Sequence, residues 1–456
     1  MSRAPLASHR VLLQVDGAAA RVPLEVFEMV TSHVDVSDDL SSCSLVCRLW
    51  SAAARRRLFR VVKISARQNG LPSSSSLLCD PTSTILPFVH TIRLEEGVDY
   101  DVVHEEGLLG PISMYMPAPR ESRTPFLDDV LPTIRTRDLT ALRSLEVVDL
   151  TWAELSTESR RAFFDLCPLI TSLSLFCLRG QGISSSGMVE LLGGVTEVSS
   201  LQKLYVSDPH IFVRRYILSD NQPIPSPPTK ATISLKSLTM EGDCMTPFLP
   251  GLLAVFAFPH ITDLILRDIA PDNVGDLVSL LRGCASNVER LQLRFDKLLI
   301  GHYMSERDHA DVVPESLFLT QEGLSGLTAL RSVHLTADPR WLPAMLRPLS
   351  TCKHLEDLTI HASPCMLYRC DLDKLALSLF ILARARTSLR IIFFCDLDTD
   401  HYRKRSPAGP ALDQMRDQLA SKLTDLLQEG RLQFLRYVRD PESRTAARDT
   451  DDIEEF

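Results

Sequence analysis

No stretch of about 18 consecutive apolar residues occurs in this chain, so a membrane-spanning helix is not expected. Aromatic residues make up only 6% of it and are not clustered, which argues against a stacking platform for single-stranded nucleic acid. An excess of positive charge is also missing. The balance is 49 Lys and Arg against 58 Asp and Glu, a formal charge of −9, and no broad basic surface for DNA, RNA or anionic lipid is expected. Neither a Gly-rich phosphate loop nor a Gly-x-Ser-x-Gly elbow is present, so nucleotide binding and serine hydrolysis lack their signatures. The 11 cysteines include no Cys-x-x-Cys pair. Cys43 and Cys47, or His361 with Cys365 and Cys370, do not complete a tetrahedral metal site. No metal or cofactor is expected, and the thiols read as reduced and buried, as in a cytoplasmic or nuclear protein. The opening residues show no secretory signal pattern, in keeping with that expectation.

What is present is a long, strongly apolar chain: 456 residues, 45% hydrophobic and 23% charged. That exceeds one compact core of ordinary size, so several units or a repeat array are expected. Residues 1–20 carry no sustained period and are expected to be flexible. From 21 to about 60 the period is helical. Val22, Val26, Met29 and Val30 follow Pro23, which suits a first helical turn because its missing N–H has no partner there. After a polar break at Asp35 to Asp39, Leu40, Cys43, Ser44 and Cys47 continue at helical spacing. A third stretch, Trp50 to Leu58, carries the basic run Arg55-Arg56-Arg57. Three short helices in about 40 residues are too small to be robust alone and lean on a partner or on the neighbouring domain.

The residues of that block carry a family resemblance. Val22-Pro23-Leu24-Glu25-Val26, then Asp39-Leu40, then Ser44-Leu45-Val46-Cys47-Arg48-Leu49-Trp50 resembles the F-box, and Arg57-Leu58-Phe59-Arg60 is similar to the tail of its fungal members. Val22 stands where the family usually has leucine. The resemblance covers under a tenth of the chain. It implies recruitment without catalysis: F-box helices dock on the Skp adaptor, which joins them to a cullin scaffold and a RING protein. The chain then contributes proximity between a target and the ubiquitin-charged enzyme. Carried onto matching positions, the resemblance implies that Val22, Pro23, Leu24, Val26, Val30, Leu40, Leu45, Val46 and Trp50 form or support the adaptor interface. Leu40, Cys47 and Trp50 are equally readable as packing between the helices.

Beyond the block, apolar residues recur at i, i+3 and i+5 eleven times, from Val89-Ile92-Leu94 through Leu235-Leu238-Met240 and Leu355-Leu358-Ile360 to Leu389-Ile392-Phe394 and Leu432-Leu435-Tyr437. This pattern resembles the Leu-x-x-Leu-x-Leu core of a leucine-rich repeat. The second and third residues point the same way from a short strand, and the first turns the corner from the preceding loop. Helical stretches intervene at 273–283, with Asn273 as N-cap and Gly283 as stop, at 372–386, and at 411–429 before Gly430. The expected fold class is therefore α/β: a three-helix F-box followed by an irregular leucine-rich-repeat solenoid, or horseshoe, with parallel strands. The division runs 1–20, F-box 21–62, linker 63–84, solenoid 85–440 and a flexible acidic tail 441–456. Irregularity is expected because leading residues lie 25 to 53 apart against about 20–29 in the family. The family's asparagine is also missing, so other hydrogen bonds must satisfy the turn backbone.

Three insertions, 98–135, 209–234 and 297–329, exceed what a connector needs. The second holds Pro223, Pro225, Pro227 and Pro228 and reads as disordered; the first keeps Met114, Tyr115, Met116 and Phe126, enough to cover the core or meet a ligand. The strand-like Ile391 to Cys395 runs into Asp396-Leu397-Asp398, which looks like a phosphatase nucleophile motif. Asp400 and His401 stand where that chemistry expects a small and an aliphatic residue, so a catalytic role is not expected here or elsewhere. Two readings remain. In one, the chain is the substrate receptor of an SCF-type cullin-RING ubiquitin ligase, binding an unidentified protein target. In the other, it is a repeat scaffold without a ligase role. Adaptor binding separates them.

Overall fold

The computed structural model describes residues 24–34, 37–65, 78–80, 82–95, 126–148, 150, 152–176, 185–198, 201–208, 231–242, 245–269, 273–295, 324–337, 341–362, 371–396, 408–438 and 452–455. Helices α1 (Leu24–Ser32), α2 (Ser37–Ser44) and α3 (Arg48–Leu58) come first. Strands follow: β1 (Val61–Ser65), β2 (Thr91–Glu95), β3 (Ser144–Val148), β4 (Ser172–Phe176), β5 (Lys203–Asp208), β6 (Ala231–Thr232), β7 (Ser237–Gly242), β8 (Phe256–Ala257), β9 (Asp263–Ile269), β10 (Arg290–Phe295), β11 (Ser332–Thr336), β12 (Asp357–Ala362), β13 (Arg390–Asp396), β14 (Leu432–Val438) and β15 (Asp452–Glu455). Apart from the β6–β8 pair, they form one 13-stranded sheet in chain order. All neighbours in it are parallel except β14 and β15. Parallel neighbours need crossovers, supplied by helices such as Thr157–Leu166, Ser185–Val198, Val274–Cys284, Leu342–Leu349 and Leu372–Ala385. The result is a solenoid-like α/β stack.

Its core follows from period two. Buried and half-exposed residues alternate along the strands, and one continuous apolar cluster runs from Val62 to Phe434. The parallel stack starts earlier than the repeat pattern, because β1 pairs with β2 across the expected 62/63 boundary. At its far end, β15 lies in the expected tail and pairs antiparallel with β14.

Backbone hydrogen bonds tie successive coils together where the chain enters each strand. The Arg60 carbonyl accepts from the amides of His90 and Thr91, both at 2.9 Å, and the His90 carbonyl accepts from Arg143 and Ser144 at 2.9 and 3.0 Å. The same doubly accepting carbonyl recurs at Arg143, Thr171, Gln202, Lys236, Thr262, Glu289 and Arg331. Each coil thereby satisfies the corner amides of the next. At β13 the rhythm changes: Glu356 accepts from Arg390 at 2.8 Å, and the Ile391 amide turns to the Arg431 carbonyl at 2.7 Å. Arginines satisfy carbonyls at and beyond the helix ends nearby. Arg386 donates to the Ser350 and Cys352 carbonyls, and Arg431 to those of Ala383, Arg386 and Leu389.

That change corrects two of the triplets. Ile391 and Phe393 are buried, as are Leu432 and Phe434, whereas Ile392, Phe394 and Leu435 are half-exposed. The corner from Leu389 is one residue shorter than the corner from Leu355, and a one-residue slip exchanges the two faces of a strand. Asn273 also differs from expectation. It precedes Val274–Cys284 without a side-chain cap, and Gly283 lies inside that helix. Asp371 does cap its helix, accepting from the Lys374 amide at 3.1 Å. The final helical stretch is interrupted at Leu423 and stops before Gly430, whose φ is 69°. Of the insertions, Phe126–Val130 is a short helix packed on the core. Met114 to Met116, the prolines from Pro223 to Pro228 and all of 297–323 lie outside the described residues.

Candidate functional site

Helices α1 to α3 have a small interior of their own, separate from the solenoid cluster. Phe27, Leu40, Ala53 and Ala54 are buried, and Phe27 meets Trp50 edge-on at 5.3 Å between ring centroids. Phe27 and Thr31, one turn apart, spend the inward face of α1. Val26, Met29 and Val30 sit at i, i+3 and i+4 on another face of it, 38%, 58% and 42% exposed. The turn between α2 and α3 adds Leu45 at 86% and Val46 at 66%. The block thus carries two sets of apolar side chains and buries only one. Arg56 pairs with Glu28 across α3 and α1, and Arg57 Nε donates to the Val34 carbonyl at 3.1 Å, closing the end of α1.

The candidate adaptor residues therefore divide. Val26, Val30, Leu45 and Val46 are exposed, Leu40 is buried and Trp50 is half-buried. Leu24 begins α1, while Val22 and Pro23 lie outside the described residues, as does the side chain of Leu24. The second helix starts at Ser37, so Asp38 and Asp39 fall in its first turn, where carboxylates favour the helix dipole. Cys47 is the N-cap of α3 and not part of α2, which is why Leu45 and Val46 protrude from a turn. Met29 joins the exposed set although it was read only as part of the helical period.

A second cluster occupies the solvent-facing side of the sheet. Arg294 donates from Nε and Nη2 to the two carboxylate oxygens of Asp268, at 3.1 and 2.7 Å, and from Nη2 to Glu241 Oε1 at 3.0 Å. The Tyr205 hydroxyl donates to Glu241 Oε2 at 3.0 Å, and Arg267 lies 3.6 Å from that oxygen. Asp268 is the one non-glycine residue with positive φ, 62°, among the described residues. It is the extra residue where the β9–β10 register shifts. The bulge aims its carboxylate at Arg294, and the strain of a left-handed residue is held by that pairing. Beside it, His334 contacts His361 at 6.2 Å, and His361 stacks on Phe394 at 5.2 Å and 23°. Desolvation first, then Arg267 and Arg294, hold the His334 ring below its ordinary pKa. This cluster was not singled out from sequence. Its signal is positional, because Glu241, Arg267 and Arg294 each follow the last apolar residue of a triplet.

The other motifs stay apart. Asp396 ends β13, and residues 397–400 lie outside the described residues, as do Cys365 and Cys370. Burial pushes the Cys167 and Cys284 thiols up to about 12 and Cys352 up to about 11. Among the described residues, no group of three His, Cys, Asp or Glu is placed to hold a metal ion, and no helix is long and apolar enough to cross a membrane. No protein-family model matches the chain, and a search of curated proteins finds no significant match.

Proposed function

We propose that this chain is the substrate-recognition subunit of an SCF-type cullin-RING ubiquitin ligase, with α1 to α3 as an F-box that binds the Skp adaptor and a leucine-rich-repeat solenoid that binds a protein target. One observation carries the reading: the unburied apolar set Val26, Met29, Val30, Leu45 and Val46 on a block too small to stand alone. Apolar side chains left exposed in this number on so small a block mark an interaction site. All of the set but Met29 belongs to the residues that the F-box resemblance assigns to the adaptor. By that resemblance Val22, Pro23 and Leu24 extend the same interface, while Leu40 and Trp50 support it from behind. The solenoid supplies a rigid face, with the Glu241–Arg267–Asp268–Arg294 cluster and the His361–Phe394 stack as its distinctive chemistry. The chain acts by proximity and contributes no catalytic group.

Co-purification of the full chain with the Skp adaptor tests this, beside a Leu45→Ala, Val46→Ala variant. Both side chains are exposed, so the variant keeps its circular dichroism spectrum. Full burial of one such side chain contributes about 1.5–3 kcal/mol, so the variant is expected to lose at least tenfold in affinity. Failure of the wild-type chain to associate sinks the receptor reading and leaves a repeat scaffold.

A further inference from the structure

Where α1 and α3 meet the first coils there is a cleft of about 440 Å³ whose lining includes Arg56, Arg57, Arg60, His90 and Glu28. Glu28 is the one carboxylate of that lining, and Arg56 engages it. Arg60 and His90 occupy successive rungs of the corner ladder and both line the cleft; Arg143, on the next rung, turns its guanidinium back to the Leu142 carbonyl at 2.7 Å. His90 Nδ1 lies 3.1 Å from the Phe88 carbonyl. A ring donating there turns Nε2 away from that carbonyl, and its protonated form offers a second N–H. Partial desolvation, Arg60 and Arg143 all act against that proton. In a chain of net charge −9, this is a local excess of cations, and a bound anion relieves their mutual repulsion.

We propose that this cleft binds a phosphate-bearing oxyanion, held by Arg60 and His90 on the solenoid side, with the charge of Arg57 on α3 beside it. Guanidinium forks suit phosphate oxygens, which accept several charge-assisted hydrogen bonds at once. The cleft exceeds what one carboxylate fills. Bound there, the anion bridges the helical block and the first coils and stiffens their junction. The inference is independent of adaptor binding, and either can fail without the other.

The test is calorimetric titration of the full chain with sodium pyrophosphate against sodium chloride of matched ionic strength. One saturable site is expected in the wild type. Arg60→Gln with His90→Gln is expected to weaken it about tenfold or more, the loss of charge-assisted contacts, and Arg60→Lys to weaken it less. Should the double variant misfold, Arg60→Gln alone, at an exposed position, decides. The His90 titration followed by NMR shifts to higher pH when pyrophosphate is bound, against the charges of Arg56, Arg57, Arg60 and Arg143 and in the same direction as that of Glu28. Phosphatidylcholine vesicles with and without phosphatidylinositol phosphate form the second arm, and selective capture assigns a lipid headgroup as the source of the same phosphate chemistry. Absence of saturable binding in both arms overturns the proposal, as does unchanged affinity in the folded Arg60→Gln variant.

Discussion

Asp268 shows how much a single residue can hide from a sequence. A left-handed L-residue costs about 1–2 kcal/mol, and here the cost is offset by two hydrogen bonds to Arg294. Replacing Asp268 with alanine removes the carboxylate and keeps the strain, whereas glycine removes both. The expected outcome is that Asp268→Ala is less stable than Asp268→Gly by about 1 kcal/mol in urea unfolding of the full chain; equal stabilities would contradict a strained bulge. His334 gives a second expectation at this scale. Its folded pKa lies below the ordinary value, so the unfolded chain takes up a proton below about pH 6.5 while the folded ring resists it. Stability from this residue is complete above that pH and declines as pH falls below it. Replacement by glutamine is expected to flatten the urea midpoint between about pH 7 and about pH 5.5. An unchanged slope would show that His334 does not titrate as its surroundings indicate.

At the scale of elements, the strands were legible because three apolar positions recur wherever a coil turns into the sheet. From Ile92 and Leu94 to Leu358 and Ile360 the anticipated inward residues are buried. The pattern is ambiguous where four apolar residues stand in a row. Ile391-Ile392-Phe393-Phe394 satisfies either frame, and only the shortened corner after Leu389 decides between them. The consequence is measurable. Phe393→Ala is expected to cost about 3–5 kcal/mol as a buried aromatic truncation, and Phe394→Ala far less. The reverse order would restore the original frame. The first strand is hidden for a related reason: Val61 to Ser65 follows closely on α3, and its apolar residues read as the end of the helical block. The cluster on the solvent-facing side of the sheet is illegible because its partners come from separate coils, with Glu241 and Arg294 53 positions apart.

Across the whole molecule, two parts divide the work. The solenoid spends its apolar residues on one continuous core, and its corner carbonyls tie each coil to the next. The helical block has a separate interior and leaves Val26, Met29, Val30, Leu45 and Val46 outside it. Sequence alone indicated which residues of the block were apolar and helical, and the resemblance indicated a partner. Which of them face outward depends on the turn at Leu45 and Val46, which helical spacing had carried through. The most direct measurement is titration of the Skp adaptor into the full chain at several temperatures. A one-to-one complex with a negative heat-capacity change is expected, the signature of apolar burial, and both are lost in the Leu45→Ala, Val46→Ala variant. A wild-type chain that forms no complex, or one whose binding is indifferent to those residues, would contradict the account.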